Sequence, residues 1–412
     1  MSDFDKATAA VLGTTTHSKV SLIKTKDPNS GVESVFAAHQ TVHGAEQEIT
    51  FIQPSNSPAQ NVMDTGGSYT DFQLPYSKNR IAEINLSLSM VSVNPAGMDA
   101  LPSHFAIDRV EYYSGSNLIA SMSNYFYYFK TVLLNSTEQL RVLGRSNNLD
   151  ADTFQGKKLM PYFTTPLYIN LTGPLEGLVT GFLRPQIRIR VFWNTQVEFQ
   201  GTSPSENNSI WVKNVRLMVE SVALLPSEAE LTQRSYATDK FTHRFIEDRR
   251  IFQQIQSLAE NTSYNIPLAN LNGPFAGFIV FKTKGNATGL DKTAFVSRFE
   301  KIYLTGSNSE ILQGGQVLSA EDHRIVSSQS FPSAFFGNDV MQGVIPIVHT
   351  SNLFSDLKSG TQNGALILRS QGETLHWSTS VVSPPDGAHD VHVLGLHISA
   401  FRIVNGELVS LR

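Results

Sequence analysis

Histidine and aspartate crowd one stretch near the C-terminus: His389-Asp390-Val391-His392, with His397 five residues further on. Imidazole and carboxylate are ordinary zinc ligands, and a zinc site needs at least three protein ligands. In a strand, side chains alternate between faces, so Asp390 and His392 would share one face and His397 the other. Two ligands without a third assign no metal, and these histidines are expected at a surface or an interface. A second group, Lys282, Lys284, Gly285, Asn286 and Gly289, has the residue types that touch phosphate. A phosphate cradle wants a strand running into a helix N-terminus. That context is missing, and a turn is expected instead. The acids Asp108, Glu111 and Glu220 sit inside strand patterns. Nothing links two of them across a cleft, as glycoside hydrolysis would require, and solvated strand faces are expected. Trp193, Trp211 and Trp377 could stack on a sugar, but rings of this size more commonly fill cores and interfaces. There is no nucleophile elbow, P-loop, Rossmann glycine pattern or HExxH motif. With no cysteine, thiol catalysis, zinc–thiolate sites and disulfides are excluded. The expectation is a chain with no catalytic residue, no cofactor and no enzymatic role.

The elements around these residues are strands. Ile84, Leu86, Leu88 and Met90 alternate with Asn85, Ser87 and Ser89, and Ile187, Ile189, Val191 and Trp193 with Arg188, Arg190 and Phe192. This period of two marks sheets with one apolar face. Val215, Leu217 and Val219 interleave with Arg216, Met218 and Glu220 in the same way. Turn residues separate them at Asn94-Pro95-Ala96-Gly97, Ser114-Gly115-Ser116-Asn117 and Thr172-Gly173-Pro174. The aromatic stretch Ser123 to Leu134 fits either a strand or a short helix. Later strands are expected at Ile251–Ile255, Phe275–Phe281, Phe299–Leu304, Asn338–Ile347, Ala365–Leu368 and Val391–Val404, with long loops at Lys284–Thr293 and Leu318–Gly337.

The chain also echoes itself. Tyr112-Tyr113-Ser114-Gly115-Ser116-Asn117 returns as Tyr303-Leu304-Thr305-Gly306-Ser307-Asn308, 191 residues on (306 minus 115). Val215 to Glu220 returns more weakly as Val391 to Leu396, 176 residues on (391 minus 215). Two echoes in the same order imply one β-unit used twice, with a period far beyond the roughly 20–50 residues of solenoids and propellers. For about 180 residues per unit, an eight-stranded jelly roll with extended loops fits best. The division is then an N-terminal arm (1–45), with at most a short helix near Lys6 to Leu12, a first roll (46–226), a linker with a short helix (227–248) and a second roll (249–412). Ser227 and Glu230 have the spacing of a capping box, which starts that helix at Ser227 and runs it to about Gln233. The charge-dense stretch from Asp239 to Arg250 is expected to be a solvated loop or a connector docked between the halves.

Composition narrows the class. Charged residues are 17% of the 412, below the roughly 25% usual for soluble domains. The polar surface must therefore be mostly Ser, Thr, Asn and Gln, which can be buried against neighbours without stranding charge. A net charge of −4 leaves no electrostatic footprint for nucleic acid. Met1-Ser2-Asp3-Phe4-Asp5-Lys6 lacks the basic start and apolar core of a signal peptide, and no stretch reaches the roughly 18 apolar residues of a membrane span, so neither is expected.

In order along the chain, the residues resemble the double jelly-roll major capsid proteins of nucleocytoplasmic large DNA viruses, virophages and related tailless icosahedral viruses. Ile107 to Ser116 resembles the family's strand running into a glycine turn, with Ser114-Gly115 where the family usually has two glycines. Leu159-Met160-Pro161-Tyr162-Phe163 through Trp193, and Val219 to Leu225 with the acidic turn after it, resemble the rest of the first roll. His243-Arg244-Phe245-Ile246-Glu247, Leu271 to Val280, and Gln342 to Arg369 with its Ser359-Gly360 turn resemble the second. The resemblance implies a homotrimer with a six-sided outline, tiling an icosahedral shell in the virion and assembled inside the host cell. It implies neighbouring capsomers, minor capsid and penton proteins as partners, with the arm directed to a neighbour or an internal membrane. A carbohydrate-binding or carbohydrate-cleaving β-sandwich is the alternative; it predicts a monomer with aromatic side chains along one groove.

Overall fold

The computed structural model describes residues 20–26, 33–39, 47–56, 68–92, 103–134, 167–194, 210–238, 241–256, 258–259, 261–284, 299–312, 317–328, 344–350, 353, 357, 364–379 and 389–411. The helix expected near Lys6 to Leu12, the turn at 94–97, the segments 159–163, 285–293 and 338–343, and the turn at 359–360 lie outside the described residues.

The chain opens with β1 (Val20–Lys26) and β2 (Glu33–His39), an antiparallel pair in which Ile23 stands opposite Phe36. This corrects the expectation of an arm without strands. The apolar residues of each segment are too few to show a period, whereas Asp27-Pro28-Asn29-Ser30-Gly31 between them is rich in turn formers.

The first roll follows as β3 (Gln47–Ile52), β4 (Tyr69–Gln73), β5 (Arg80–Ser92), β6 (Ile107–Ser114), β7 (Asn117–Ser123), helix α1 (Asn124–Leu134), β8 (Leu167–Asn170), β9 (Ile187–Trp193) and β10 (Ile210–Val222). Its two four-stranded sheets have the orders β3-β10-β5-β8 and β4-β9-β6-β7. Ile84, Leu86, Leu88, Val110, Tyr112, Ile187, Ile189, Val191 and Leu217 are fully buried between them, as the period of two anticipated. The segment Ser123 to Leu134, undecided from periodicity, is the helix α1.

Helix α2 (Pro226–Ala237) joins the halves. It begins at Pro226, with Leu225 at the cap position, so Ser227, expected as the N-cap, lies inside the helix. Proline at the first helical position brings a pre-set φ and lacks only an N–H that would have no partner there. The helix also runs one turn past Gln233, closing where the Thr238 hydroxyl donates to the Arg234 carbonyl at 2.9 Å.

The second roll comprises β11 (Thr242–Ile255), β12 (Thr262–Pro267), β13 (Asn272–Lys284), β14 (Lys301–Thr305), β15 (Leu318–Ser319), helix α3 (Ala320–Ser328), β16 (Val344–Val348), β17 (Leu366–Arg369), β18 (Thr374–Thr379), β19 (His389–Val404) and β20 (Glu407–Ser410). The stretch from Thr242 to Arg250, expected as loop or connector, is strand and pairs with β19 from Thr242↔Arg402 to Ile255↔His389. Its charges are tolerated because several find partners inside the fold, as set out below. The expected long loop from Leu318 holds β15 and α3.

The sheet orders here are β11-β19-β13-β16 and β12-β18-β14-β15, with β17 added on β13 and β20 on β19. Replacing β3 to β8 by β11 to β16, β9 by β18 and β10 by β19 converts the first pair of orders into the second. The chain is thus all-β at its core, two consecutive eight-stranded jelly rolls, the second carrying two extra strands.

Both sequence echoes fall on corresponding strands: β6 with β14, and β10 with β19. The turns after the first echo nevertheless differ. Gly115 adopts φ +61°, left-handed and open to glycine, between β6 and β7. In the second half the left-handed residue is Ser309 at φ +62°, and the Asn308 N–H donates to Glu310 at 2.9 Å. Strand pattern is conserved between the halves; turn geometry is not.

Candidate functional site

The site with the densest arrangement of functional groups is the contact between the rolls, and it begins with α1. Five aromatic residues run consecutively from Tyr125 to Phe129. At 3.6 residues per turn they spread around the whole circumference, so the helix needs cover on every side. Its own roll supplies part: the Tyr127 and Tyr112 hydroxyls are 2.7 Å apart, and Tyr128 lies 5.4 Å from the Phe105 ring. The other side meets the second roll, where Tyr125 and Phe129 each lie 5.0 Å from the ring of Phe281 on β13.

The sheet that receives α1 is therefore apolar on both faces. β19 is buried throughout from His389 to His397. Val391 and Val393 join the interior of the second roll with Ile302, Leu375 and Trp377, while Leu394 and Leu396 join a core continuous with the first roll. A near-unbroken apolar run is the mark of a strand covered on two sides.

Polar groups set the docking geometry. Asp248 on β11 accepts the Ser123 N–H at 2.9 Å and its hydroxyl at 2.6 Å. A carboxylate from one roll thus caps the N-terminus of a helix in the other, where the helix dipole favours negative charge. Burial raises the Asp248 pKa, and the bonds from Ser123 draw it back. The Arg250 guanidinium lies 5.2 Å over Tyr125. His392 stacks on Phe281 at 4.7 Å and 15°, faces Tyr125 at 5.5 Å, and bonds the Thr283 hydroxyl at 2.9 Å. Burial, aided by Arg250, lowers its pKa to about 3, so it is neutral at ordinary pH.

The sequence placed Asp390 and His392 on one face and His397 on the other, and the structure does the same. His397 contacts the Ser399 hydroxyl at 2.7 Å and lies 3.5 Å from Glu247, which accepts the Ser399 hydroxyl at 2.7 Å. Burial alone would raise the Glu247 pKa, but the bonds from His397 and Ser399 bring it below the usual carboxylate value. Among the described residues no group of three or more His, Cys, Asp or Glu could hold a metal. His392 lies at the contact between the two rolls, while His397 is buried among second-roll residues on the other face of β19.

The lysine cluster does not assemble. Lys282 points into the second roll with no exposed surface, its ammonium 4.2 Å over Phe299 and 5.2 Å from the Trp377 ring. Among the described residues it has no hydrogen-bond partner, and burial lowers its pKa to about 7. Lys284 ends β13, and Gly285, Asn286 and Gly289 lie outside the described residues. Asp108 and Glu111 both bind Arg109, at 2.7 and 2.9 Å, while Glu220 accepts from Gln47 at 2.9 Å. Trp193 and Trp377 are buried, the first donating to the Thr70 hydroxyl at 2.9 Å and the second stacked on Tyr264 at 4.6 Å, so neither offers a face to a sugar. Trp211 lies on β10.

Sequence reading missed the residues that make this contact: Ser123, Tyr125, Asp248 and Phe281. The run of five aromatics was the available signal, since such a helix must be enclosed. Asp248 carried none, because its partner lies 125 residues away.

No protein-family model and no curated protein matches the sequence. Solved structures do match. PBCV-1 VP54, a crystal structure fitted into a reconstruction of the virophage Sputnik, is 12% identical with a TM-score of 0.61, over 89% of this chain and 97% of that one. The Faustovirus major capsid protein is 10% identical with a TM-score of 0.61, over 87% and 90%. The mavirus major capsid protein is 10% identical with a TM-score of 0.50, over 93% of each chain. At this identity the likeness is one of fold, and it extends over both halves together with the sheet orders described above. The chain has the double jelly-roll fold of these viral major capsid proteins.

Proposed function

We propose that this chain is a viral major capsid protein, forming homotrimeric capsomers of six-sided outline that tile an icosahedral shell in the virion. One observation carries the reading: two rolls of the same sheet order are joined through a buried core into a single two-lobed unit. Three such units present six similar lobes, which suits a six-fold environment. The likeness to capsid proteins over nearly the whole chain supports it, as does the low charge content. No enzymatic step is part of this reading. The division into two rolls, expected at 46–226 and 249–412, belongs to the same proposal, with α2 in the connector and the second boundary moved back to Thr242, where β11 begins. So do neighbouring capsomers, minor capsid proteins and penton proteins as partners. Size-exclusion chromatography with light scattering tests it: a stable species near three times 45.4 kDa is expected. A clean monomer at assembly concentrations would overturn it.

The arm is proposed to lie at the base of the capsomer, towards a neighbour or an internal membrane. It precedes the first roll, and a two-stranded hairpin such as β1–β2 is marginal unless it packs on something else. Deleting residues 2–40 is expected to leave trimers intact and to impair shell assembly. Unchanged shells, seen by electron microscopy, would remove the arm from the assembly mechanism.

A further inference from the structure

The contact between the two rolls of one chain indicates how the next chain is gripped. Each roll has a helix directly after the strand at the same sheet edge: α1 after β7, and α3 after β15. Each helix is preceded by a serine, Ser123 or Ser319. α1 is enclosed on both sides, by its own roll and by the outer face of β11-β19-β13. Among the described residues, α3 is enclosed by its own roll on one side. Ala320, His323 and Ser327 are buried against its own roll, with His323 bonded to the Ile302 carbonyl at 2.9 Å and Ser327 to that of Pro346 at 3.0 Å. On the other side Ile325 is 56% and Val326 50% exposed. Counting from the preceding serine, Ile325 occupies the place of Phe129, which packs against the second roll.

The matching sheet of the first roll, β3-β10-β5, carries a complementary surface. The echo that aligns Val215 with Val391 aligns Met218 with Leu394 and Glu220 with Leu396. Across the ladder from Leu394 and Leu396 stand Arg250 and Asp248, two residues that face α1. Across from Met218 and Glu220 stand Phe51 and Ile49. These two side chains are 47% and 53% exposed on the outer face. The polar capping partner is also accounted for. Ser123 takes its carboxylate from Asp248 of the other roll. Ser319 takes its own from Asp322, which accepts the Ser319 N–H at 3.0 Å and its hydroxyl at 2.7 Å. So α3 needs no acid from its docking surface, and that surface has Ile49 where Asp248 would be. Two departures are clear: the β5 row of this face is already covered, with Ser87 1% exposed, which confines the exposed surface to the β3 side, and there the Arg216 guanidinium lies 4.4 Å over the Phe51 ring.

We propose that α3 of one copy docks through Ile325 and Val326 onto Ile49 and Phe51 of the next copy. This contact would alternate around the ring with the α1 contact inside each chain. Such a head-to-tail interface generates a ring when its rotation closes, and three copies give six alternating contacts. The inference rests on the trimer reading above and specifies its interface.

The absence of cysteine allows a direct test. In the full chain carrying Ile325→Cys and Phe51→Cys, a short bis-maleimide linker is expected to give covalent dimers and trimers on a denaturing gel, at unchanged native mass. Either single variant should give neither, because a head-to-tail contact never brings two copies of one residue together. A native trimer that yields only monomers on the gel, or that cross-links equally well in a single variant, would overturn this interface and leave the trimer standing. A native monomer would overturn both. As a second readout, Ile325→Asp is expected to lower the native mass to that of a monomer with unchanged far-UV circular dichroism. A variant that stays trimeric would count against the proposal.

Discussion

Lowering the pH from 7 to 5 is expected to cost this protein about 4 kcal/mol of folding stability through two histidines alone. His104 and His392 are buried and neutral, each with its pKa lowered to about 3, by burial for His104 and by burial then Arg250 for His392. The unfolded chain titrates its histidines near 6.5. Below that value the unfolded state takes up protons that the folded state refuses, so stability is complete above pH 6.5 and is lost progressively as pH falls towards 3. At pH 5 the difference is roughly 2 kcal/mol per histidine at about 1.4 kcal/mol per unit. Glu247, held below its ordinary pKa, acts in the same direction, while Asp248, held above it by burial, acts against. Urea denaturation at fixed protein concentration across pH 5 to 7 measures the slope. His392→Phe, which preserves the ring stack on Phe281, should remove about 2 kcal/mol of that loss, the buried His349, with its pKa lowered to about 4 by burial, adding to the remainder. A stability independent of pH over this range, or a slope unaffected by the substitution, would refute the account.

Lys282→Met is expected to raise stability by about 4 kcal/mol at pH 7. The ammonium is fully buried in the second roll and its pKa is lowered to about 7 by burial, against about 10.4 in an unfolded chain. The sign follows as for the histidines: the unfolded state binds the extra proton between pH 10.4 and 7, so stability falls as pH drops through that window and most of the cost is present at pH 7. That cost is roughly 4 kcal/mol at about 1.4 per unit. The attraction of the Phe299 and Trp377 rings for the ammonium is already contained in the folded-state pKa. Methionine keeps a similar unbranched volume without the charge. Thermal unfolding at pH 7 and pH 10 separates the terms: the gain should be large at the first and small at the second. A less stable variant at pH 7 would mean that the aromatic box outweighs desolvation.

Both predictions depend on burial that the sequence alone could not assign. His392 was read as a surface or interface residue and Lys282 as part of a turn. The strand position and face of His392 were legible, because a strand alternates with a period of two, whereas Lys282 was placed just beyond the end of its strand. What covers each face was not. β19 illustrates the limit. Its apolar run told of a strand, yet α1 is what makes its second face interior, and α1 comes from another roll more than 250 residues earlier. The same holds for Asp248, which looked like one charge among many in a presumed loop and turned out to cap a helix across the contact.

The sequence by itself determined that this is an all-β chain built twice on one plan. Strand periodicity is local, and the two echoes survive because corresponding strands meet the same packing demands. It also excluded thiol chemistry and the common catalytic motifs. Tertiary structure decided the rest: that the aromatic stretch after β7 is a helix, that the charged stretch before Ile251 is a strand, and that α1 and Phe281 fuse the two rolls into one core. These outcomes depend on contacts between residues far apart in the chain. The free energy of such contacts is realised only when the second roll is in place, and no local pattern encodes it.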